Sequence, residues 1–311
     1  SRNDPDTSRA ERSVAIPVGL APRRPQWAHN RDMTLLQMFL LVPAGILAGI
    51  VSTVAGLASL VSYPALLLVG LPPVVANMSN TVALVANGVG AVISSRRELR
   101  GQGRILWRIT PVATVGGLAG GIILLAAPSE SFTRVVPFFI AAAALVVLFP
   151  DQVRALPRGL RALGGRRRTA SAPQSPDAPP SEPADGPSVL ARVGFLVGVF
   201  LTGAYGGYFG AAAGVLMMAL LTATLTTPFA VTNAIKNTVM EAANAVAALL
   251  FLLRAAPDWQ AIVPLAVGMF MGGYVGPAIF RRLRVPLLRW LIGGLALLLA
   301  AVLFLEAYFG L

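Results

Sequence analysis

Ten apolar segments follow one another along the chain, separated by polar connections. Runs of about 20 apolar residues with few charges are candidates for membrane-spanning helices. The segments lie near 34–54, 57–70, 73–95, 106–127, 132–150, 189–208, 211–225, 229–253, 260–280 and 285–308. The sequence therefore predicts an all-α, polytopic membrane protein.

The charge content indicates the same class of protein. Charged residues make up 12% of the chain, about half of the roughly 25% that is typical of soluble domains. The net charge is +12, and the arginines gather in the tails and in the loops between apolar segments, as the positive-inside rule describes for cytoplasmic loops. We interpret the basic character as a topology signal rather than as nucleic-acid binding, since no basic folded domain accompanies it.

The residue types narrow the chemistry. The chain has no cysteine, which excludes disulfides, thiol nucleophiles and thiolate metal sites. Its one histidine, His29, lies in the polar N-terminal tail, where it offers no metal ligand or proton relay inside the membrane. We therefore predict no catalytic residue, no metal site and no cofactor.

Four regions can be drawn from composition. Residues 1–32 form a polar N-terminal tail that we predict to be disordered, and 33–150 form a first membrane repeat. Residues 151–188 are rich in Pro, Ser, Ala and Arg, and such a stretch cannot bury a core, so we predict a flexible cytoplasmic linker. Residues 189–311 form a second membrane repeat.

An internal repeat relates the two membrane regions. The frame N-T-V-x-x-x-A-N occurs at 80–87 and again at 237–244. Upstream, AGIVSTVAGLASLVSYPALL (48–67) aligns with TGAYGGYFGAAAGVLMMALL (202–221) and places Gly56 opposite Gly210. Downstream, each copy has a tryptophan a few residues before a proline and then a glycine-rich helix. Three matches in one order predict two homologous halves of five segments each.

An odd number of crossings in each half would invert the second half relative to the first. If every segment crosses, the arginine clusters at 96–108, 154–192 and 281–289 fall on one side. We therefore predict inverted repeats, a cytoplasmic linker and both termini outside, although the N-terminal tail is itself rich in arginine. The halves would be parallel instead if neither 57–70 nor 211–225 crossed fully.

Two of the segments are shorter than a typical membrane-spanning helix. At ~1.5 Å per residue, 57–70 and 211–225 as straight helices fall short of a ~30 Å hydrocarbon core, so whether they cross fully stays open. Inverted-repeat transporters bind substrate near the midplane, at discontinuous helices of this kind. We expect the breaks near STVAGLAS (52–59) and GGYFGAAAG (206–214), with small-residue helix packing as the alternative. The substrate-binding candidates here are Ser52, Gly56, Ser59 and Gly210.

The helices that follow the breaks each carry a polar stripe on one face, which is unfavourable against lipid. Either the stripes line a cavity, or their asparagines make plain interhelical hydrogen bonds. The glycine clusters GGLAGG (116–121) and GGYVG (272–276) are interpreted mostly as helix packing. The substrate-binding candidates on the stripes are Asn80, Thr81, Asn87, Lys236, Asn237, Thr238 and Asn244.

Two charged residues break the symmetry of the repeat. Lys236, the only lysine of the chain, corresponds to Ser79, and Glu241 corresponds to Leu84. An ionisable residue inside a membrane is a functional hypothesis by default. We expect Lys236 to contact an anionic substrate and Glu241 to carry a proton or to orient Lys236. The alternative is a structural pair that is neutralised within the bundle.

These residues resemble the TauE/SafE family of sulfite-exporter-like bacterial membrane proteins over roughly 35–309. The resemblance is carried by AGIVSTVAGLASLVSYPALL with LPPVVANMSNTVALVANGVGA, and by GAYGGYFGAAAG with NAIKNTVMEAAN. It implies two homologous halves and transport of sulfite, sulfonates or related anions across the cytoplasmic (inner) membrane. Gly56 to Ser59 depart from the glycine-rich turn of the family, and this bears on the exact substrate.

The function predicted is secondary transport of a small sulfur-containing oxyanion that is bound at the midplane between the repeats. The partners expected are this anion, the lipid bilayer, a coupling proton or cation, and a second copy in a homodimer, with no nucleic acid. A passive anion channel is the first alternative. An intramembrane enzyme is the less favoured one, because the membrane segments offer one carboxylate away from their ends and no acid/base or metal constellation.

Overall fold

The computed structural model of the chain describes residues 33–149, 189–280 and 285–309. All regular secondary structure in these ranges is helical. The first half contains α1 (Leu35–Ala55), α2 (Ser59–Leu68), α3 (Pro73–Ser94), α4 (Gly103–Ala126) and α5 (Ser129–Leu148). The second contains α6 (Val189–Tyr208), α7 (Ala213–Thr224), α8 (Phe229–Arg254), α9 (Trp259–Phe280) and α10 (Val285–Phe309). Each predicted apolar segment corresponds to one helix, while the predicted tail (1–32) and linker (151–188) lie outside the described residues.

Helix lengths separate spanning helices from short ones. Among the described residues, α1, α4, α6, α8 and α9 are long and apolar enough to cross a membrane. In contrast, α2 has 10 residues and α7 has 12, so they extend only about 15 Å and 18 Å. The prediction of an all-α polytopic membrane protein with a short helix in each half is confirmed.

Local sequence explains where several helices start. Thr34 caps α1: its hydroxyl accepts a hydrogen bond from the Gln37 backbone N–H, and the Gln37 side chain accepts one from the Thr34 N–H. This reciprocal pair satisfies two of the N–H groups that a helix start leaves without an intrahelical acceptor. In α3, α5 and α8 the residue before the helix is a proline, Pro72, Pro128 and Pro228 respectively.

The packing of the helices follows the repeat. Helix α1 packs on α9, and its counterpart α6 packs on α4. Helix α3 packs on α9, and its counterpart α8 packs on α4. The pairs α3 with α8 and α5 with α10 join equivalent helices of the two halves. Exchanging the halves therefore maps these helix pairs onto one another, as expected for two homologous halves. The inverted orientation of the halves stays a prediction.

Glycines allow the closest of these helix pairs to approach. A Cβ atom added to the glycines on either side would overlap backbone atoms of the opposite helix, which places them at close helix crossings. Both glycine-rich clusters, GGLAGG and GGYVG, take part, in agreement with their interpretation as packing elements. The residues are Gly45, Gly49, Gly268 and Gly272 between α1 and α9, and Gly116, Gly120, Gly203 and Gly207 between α4 and α6.

Apolar side chains form both the outer surface and most of the interior of the bundle. Large apolar residues such as Leu36, Phe39 and Leu253 are exposed on the outer surface, as lipid-facing residues are. The interior also contains a group of buried polar side chains, which are costly inside a membrane and indicate function. These residues include Asn77, Asn80, Asn87, Lys236 and Asn237.

Candidate functional site

Both halves interrupt their first helix at a glycine. Helix α1 ends at Ala55, and Gly56 follows with φ +74°. Helix α6 ends at Tyr208, and Gly210 also has φ +74°. This left-handed conformation is unfavourable for residues with a Cβ atom. The sequence alignment of Gly56 with Gly210 thus pairs two residues of the same backbone conformation, each at the break in its half.

The two breaks touch each other. A Cβ atom built on Gly56 would lie 2.6 Å from the Cα atom of Gly214, and one built on Gly214 would lie 2.6 Å from the Cα atom of Gly56. Gly214 is the second residue of α7, and Gly56 lies three residues before α2. The N-termini of the two short helices therefore meet in the interior. The first-turn N–H groups of a helix lack intrahelical acceptors and carry partial positive charge.

Each polar helix holds the break of the opposite half. The Nδ2 atom of Asn77 in α3 donates a hydrogen bond of 2.8 Å to the carbonyl oxygen of Tyr208, the last residue of α6. The Nδ2 atom of Asn233 in α8 donates one of 2.9 Å to the carbonyl oxygen of Thr53, in the last turn of α1. These two asparagines make the interhelical hydrogen bonds that the sequence left open as their alternative role.

A cavity of about 50 Å³, part of it open to solvent, lies between the breaks and the polar helices. A cavity needs about 10–15 Å³ to hold one water molecule, so this space is large enough for a few waters or one small anion. Every wall of the cavity comes from an element that the repeat duplicates. The residues that line it are Ser52, Gly56, Ala58 and Ser59 at the first break, Gly210, Ala213 and Gly214 at the second, Leu84, Asn87, Gly88 and Ala91 of α3, and Lys236, Asn237, Met240, Glu241 and Asn244 of α8.

Most of the residues singled out in the sequence lie together here. Those that line the cavity are Ser52, Gly56, Ser59, Asn87, Gly210, Lys236, Asn237, Glu241 and Asn244. Asn87 also ties α3 to α1, because its Nδ2 atom donates to the hydroxyl of Ser52 at 2.8 Å.

Three predicted residues lie outside the lining. Asn80 is engaged with α2, where its Nδ2 atom donates to Ser59 at 3.1 Å and its Oδ1 atom accepts from Ser62 at 2.5 Å. The hydroxyl groups of Thr81 and Thr238 donate to backbone carbonyls of their own helices, those of Asn77 and Ala234. Asn80 thus holds a cavity residue, Ser59, in place, whereas the hydroxyl groups of the two threonines make their hydrogen bonds within their own helices.

Lys236 is buried at the edge of the first break. Its side chain is only 2% exposed, and its Nζ atom donates to the carbonyl oxygen of Ser52 at 3.4 Å. An ammonium group has three donors, and among the described residues this carbonyl is the one acceptor it meets. A buried cation that lines a cavity and has N–H donors without acceptors is suited to bind an anionic ligand.

Glu241 lies on the α3 side of the same cavity. A Cβ atom added to Gly88 would overlap the carboxyl group of Glu241, so the acid packs directly on the α3 backbone. Within the described chain Glu241 has no hydrogen bond or ion pair, and its Oε1 atom is buried without a partner. Lys236 and Glu241 are therefore not the mutually neutralised pair that the sequence left open.

Asn237 completes the polar wall of α8. Its side chain is 9% exposed, and its Nδ2 atom is buried with no hydrogen-bond partner among the described residues. Burying an unpaired donor is costly, and a bound acceptor would remove that cost. The amide is therefore an unpaired donor in the lining of the cavity that Lys236 also lines.

Sequence reasoning missed part of the lining. Gly88 follows Asn87 directly in the repeated frame, and its counterpart in the second half is Ala245. The repeat thus has a glycine in one half and an alanine in the other at this position, and it has Glu241 where the first half has Leu84. These two differences were the sequence signal for a contact that is present in only one of the two equivalent places. Ala213 and Gly214 are contributed by the start of α7, and a helix start cannot be placed to one residue from hydropathy. No group of three or more His, Cys, Asp or Glu residues that could hold a metal is found in the described ranges.

Comparison with known proteins gives two matches. The family model described as "Sulfite exporter TauE/SafE" matches residues 41–303. A "Probable membrane transporter protein" of Haemophilus influenzae is 25% identical over 122 residues, which cover 39% of this chain and 48% of that protein. The match thus spans about half the length of this relative. No solved structure matches the chain.

Proposed function

The chain belongs to the sulfite exporter TauE/SafE family. We propose that it is a multi-pass membrane transporter that carries a small sulfur-containing oxyanion across the bacterial inner membrane by secondary transport. The observation that carries this proposal is the buried ammonium group of Lys236 beside a cavity that both halves line. The family name points to sulfite, and the relative is described as a transporter.

The anion is bound by donors from three directions. Lys236 supplies the positive charge, and the unpaired Nδ2 atom of Asn237 supplies a neutral donor. The starts of α2 and α7 add the backbone N–H groups of Ser59 and Gly214, because these two residues line the same cavity and their N–H groups make no backbone hydrogen bond among the described residues. Helix N-termini are ready-made sites for oxyanions, and transporters with broken helices use them in this way near the midplane.

Transport follows from the position of the site between the halves. The two halves are inverted repeats whose relative rocking exposes the cavity to one side of the membrane and then to the other. The linker lies in the cytoplasm and both termini lie outside. The reciprocal packing of α1 with α9 and of α6 with α4 supports a site shared by the two halves, because each half contributes one helix to each of these interfaces.

Glu241 couples the cycle to protons. Its carboxyl group shares the cavity with Lys236 and makes no ion pair with it. A carboxylate that is free to gain a proton beside a substrate site is suited to proton coupling in a membrane transporter. A pH gradient is then the driving force, and no nucleotide is needed.

The test is anion flux in proteoliposomes that contain the full chain. Radiolabelled sulfite uptake is measured with and without a pH gradient for the wild type, Lys236→Ala and Asn237→Ala. We expect uptake that responds to the gradient and that falls at least about tenfold in Lys236→Ala, since a charged hydrogen-bonding partner is lost.

Thr238→Val is the matched control, because Thr238 lies in the same helix but bonds its own backbone at 2.9 Å. Its uptake should equal that of the wild type. Uptake that is unchanged in both Lys236→Ala and Asn237→Ala would remove the proposed site. Uptake indifferent to any ion gradient would favour a passive channel.

A further inference from the structure

The cavity contains one cationic and one acidic side chain that do not neutralise each other by contact. Lys236 bonds the carbonyl oxygen of Ser52, while Glu241 packs on Gly88. The other residues that line the cavity are uncharged. Before an anion binds, the charge of the site is therefore set by these two groups among the residues that line it, and it sums to zero when both are ionised.

No further charge reaches this site from the neighbouring helices. Helix α8 packs on α1, α3, α4, α6 and α7, of which α1, α3 and α7 contain no Asp, Glu, Lys, Arg or His. The arginines of α4 and α6, and the one that ends α8, are exposed at helix ends. The titratable groups concerned are Arg104, Arg108, Arg192 and Arg254, together with Tyr205, whose hydroxyl donates to Ala211, and Tyr208, which packs on Phe132 and Phe139.

Building on the proposed oxyanion transport, we infer that the site selects singly charged oxyanions and takes up one proton on Glu241 as each anion binds. A monoanion added to the ionised site leaves one uncompensated negative charge, and a dianion leaves two. Uncompensated charge is costly in a buried site. Protonation of Glu241 restores neutrality for a monoanion and not for a dianion.

The surroundings of the Glu241 carboxyl group allow it to hold a proton while an anion is bound in the same cavity. Within the described chain the carboxyl group of Glu241 has no hydrogen bond to lose on protonation, since its contact with Gly88 is with a backbone that presents no side chain. The donors of Lys236 and Asn237 remain available to the anion on the same face of α8. The substrate class is therefore hydrogen sulfite and sulfonates, with sulfate and other dianions excluded.

Methanesulfonate and sulfate test this directly, because they have similar tetrahedral shapes and differ in charge at neutral pH. Binding to the purified full chain in detergent is measured by isothermal titration calorimetry. We expect sulfate to bind about tenfold or more weakly than methanesulfonate, since unfavourable charge juxtaposition is costly at a desolvated site. Heats in two buffers of different ionisation enthalpy should report uptake of about one proton per methanesulfonate bound.

The variant Glu241→Gln tests whether Glu241 takes up the proton, because glutamine has a similar size and does not titrate. It should bind methanesulfonate with no proton uptake and with an affinity that no longer falls as pH rises. The control Glu130→Gln changes an exposed glutamate at the start of α5 and should behave like the wild type. If Glu241→Gln does not fold, the wild type still tests the inference, because absence of proton uptake or equal affinity for sulfate and methanesulfonate would overturn it.

The outcomes distinguish this inference from the function on which it rests. Methanesulfonate that binds and is transported without proton uptake, or sulfate that binds as tightly, would overturn the inference and leave oxyanion transport standing. If neither anion binds and neither these anions nor sulfite is transported, the proposed function fails, and the inference fails with it.

Discussion

Gly88 in α3 and Glu241 in α8 are in direct contact, and a Cβ atom on Gly88 would overlap the carboxyl group of Glu241. The repeat does not impose this contact, because the equivalent positions in the opposite halves are Ala245 and Leu84. The glycine thus leaves room for the one acid in the cavity. It follows that Gly88 fixes where that acid stands relative to the anion site.

The variant Gly88→Ala should therefore disturb proton coupling more than anion binding. The added methyl group displaces the carboxyl group of Glu241, and overpacking of this kind costs about 1–3 kcal/mol. We expect the pH dependence of sulfite uptake in proteoliposomes to shift or flatten, while the affinity for methanesulfonate changes less than threefold, roughly 0.6 kcal/mol.

The matched control is Gly194→Ala in α6, because nothing lies within 4 Å of a Cβ atom built at Gly194. It should keep the wild-type pH profile. A Gly88→Ala protein with that same profile would show that Gly88 does not position the acid. Loss of all binding would instead point to a general packing role.

Much of the fold could be predicted because lipid simplifies the problem. Apolar runs locate helices whatever their neighbours are, and the shortness of α2 and α7 follows from arithmetic on length. Gly56 and Gly210 could be paired from the alignment because both halves need the same left-handed turn. Repetition therefore supplied information that a single segment lacks.

The candidate site was less predictable, since a helical wheel gives the face of a residue but not its partner. Asn77 and Asn80 share a face of α3, yet one bonds α6 and the other bonds α2. A threonine on the polar face, such as Thr238, can satisfy its hydroxyl within its own helix. Which polar residues face a cavity depends on the helix opposite, and this is a tertiary property.

Substitution of Gly56 by alanine should destabilise the protein more than the same substitution at Gly101, a glycine of the same conformation in a loop. Gly56 has φ +74° and its Cβ would overlap Gly214, whereas Gly101 has φ +79° and open space around it. The left-handed conformation costs both variants about 1–2 kcal/mol. Only Gly56→Ala adds overlap between the breaks, about 1–3 kcal/mol more.

Thermal unfolding in detergent checks this comparison, with Tm read for the wild type, Gly56→Ala and Gly101→Ala. The larger drop is expected for Gly56→Ala, together with weaker methanesulfonate binding. Equal drops in Tm would mean that the contact between the two breaks contributes nothing to stability.

The reciprocal asparagines should each stabilise the join between the halves. Asn77→Ala leaves the carbonyl oxygen of Tyr208 without its donor, and Asn233→Ala does the same for Thr53. Interhelical hydrogen bonds in membranes contribute about 0.6 kcal/mol on average and up to about 1.7. We expect losses in this range, measured by unfolding in mixed detergent micelles.

Thr133→Val serves as the control for the asparagine variants, because the Thr133 hydroxyl bonds only the Ser129 carbonyl of its own exposed turn. Its stability should change by less than about 0.5 kcal/mol. Asparagine variants as stable as this control would indicate that the two breaks are held by backbone packing alone.

The orientation of the halves can be measured directly, because the chain has no cysteine and any cysteine introduced is the only one. Arg97 and Ala256 are exposed residues in equivalent connections, between α3 and α4 and between α8 and α9. Under the inverted repeat these connections lie on opposite sides of the membrane.

In whole cells, a membrane-impermeant maleimide should label Ala256→Cys directly and Arg97→Cys only after permeabilisation, since the basic connection is cytoplasmic. The cysteine-free parent gives the background, and labelling of both variants from one side would establish parallel halves and end the inverted-repeat mechanism.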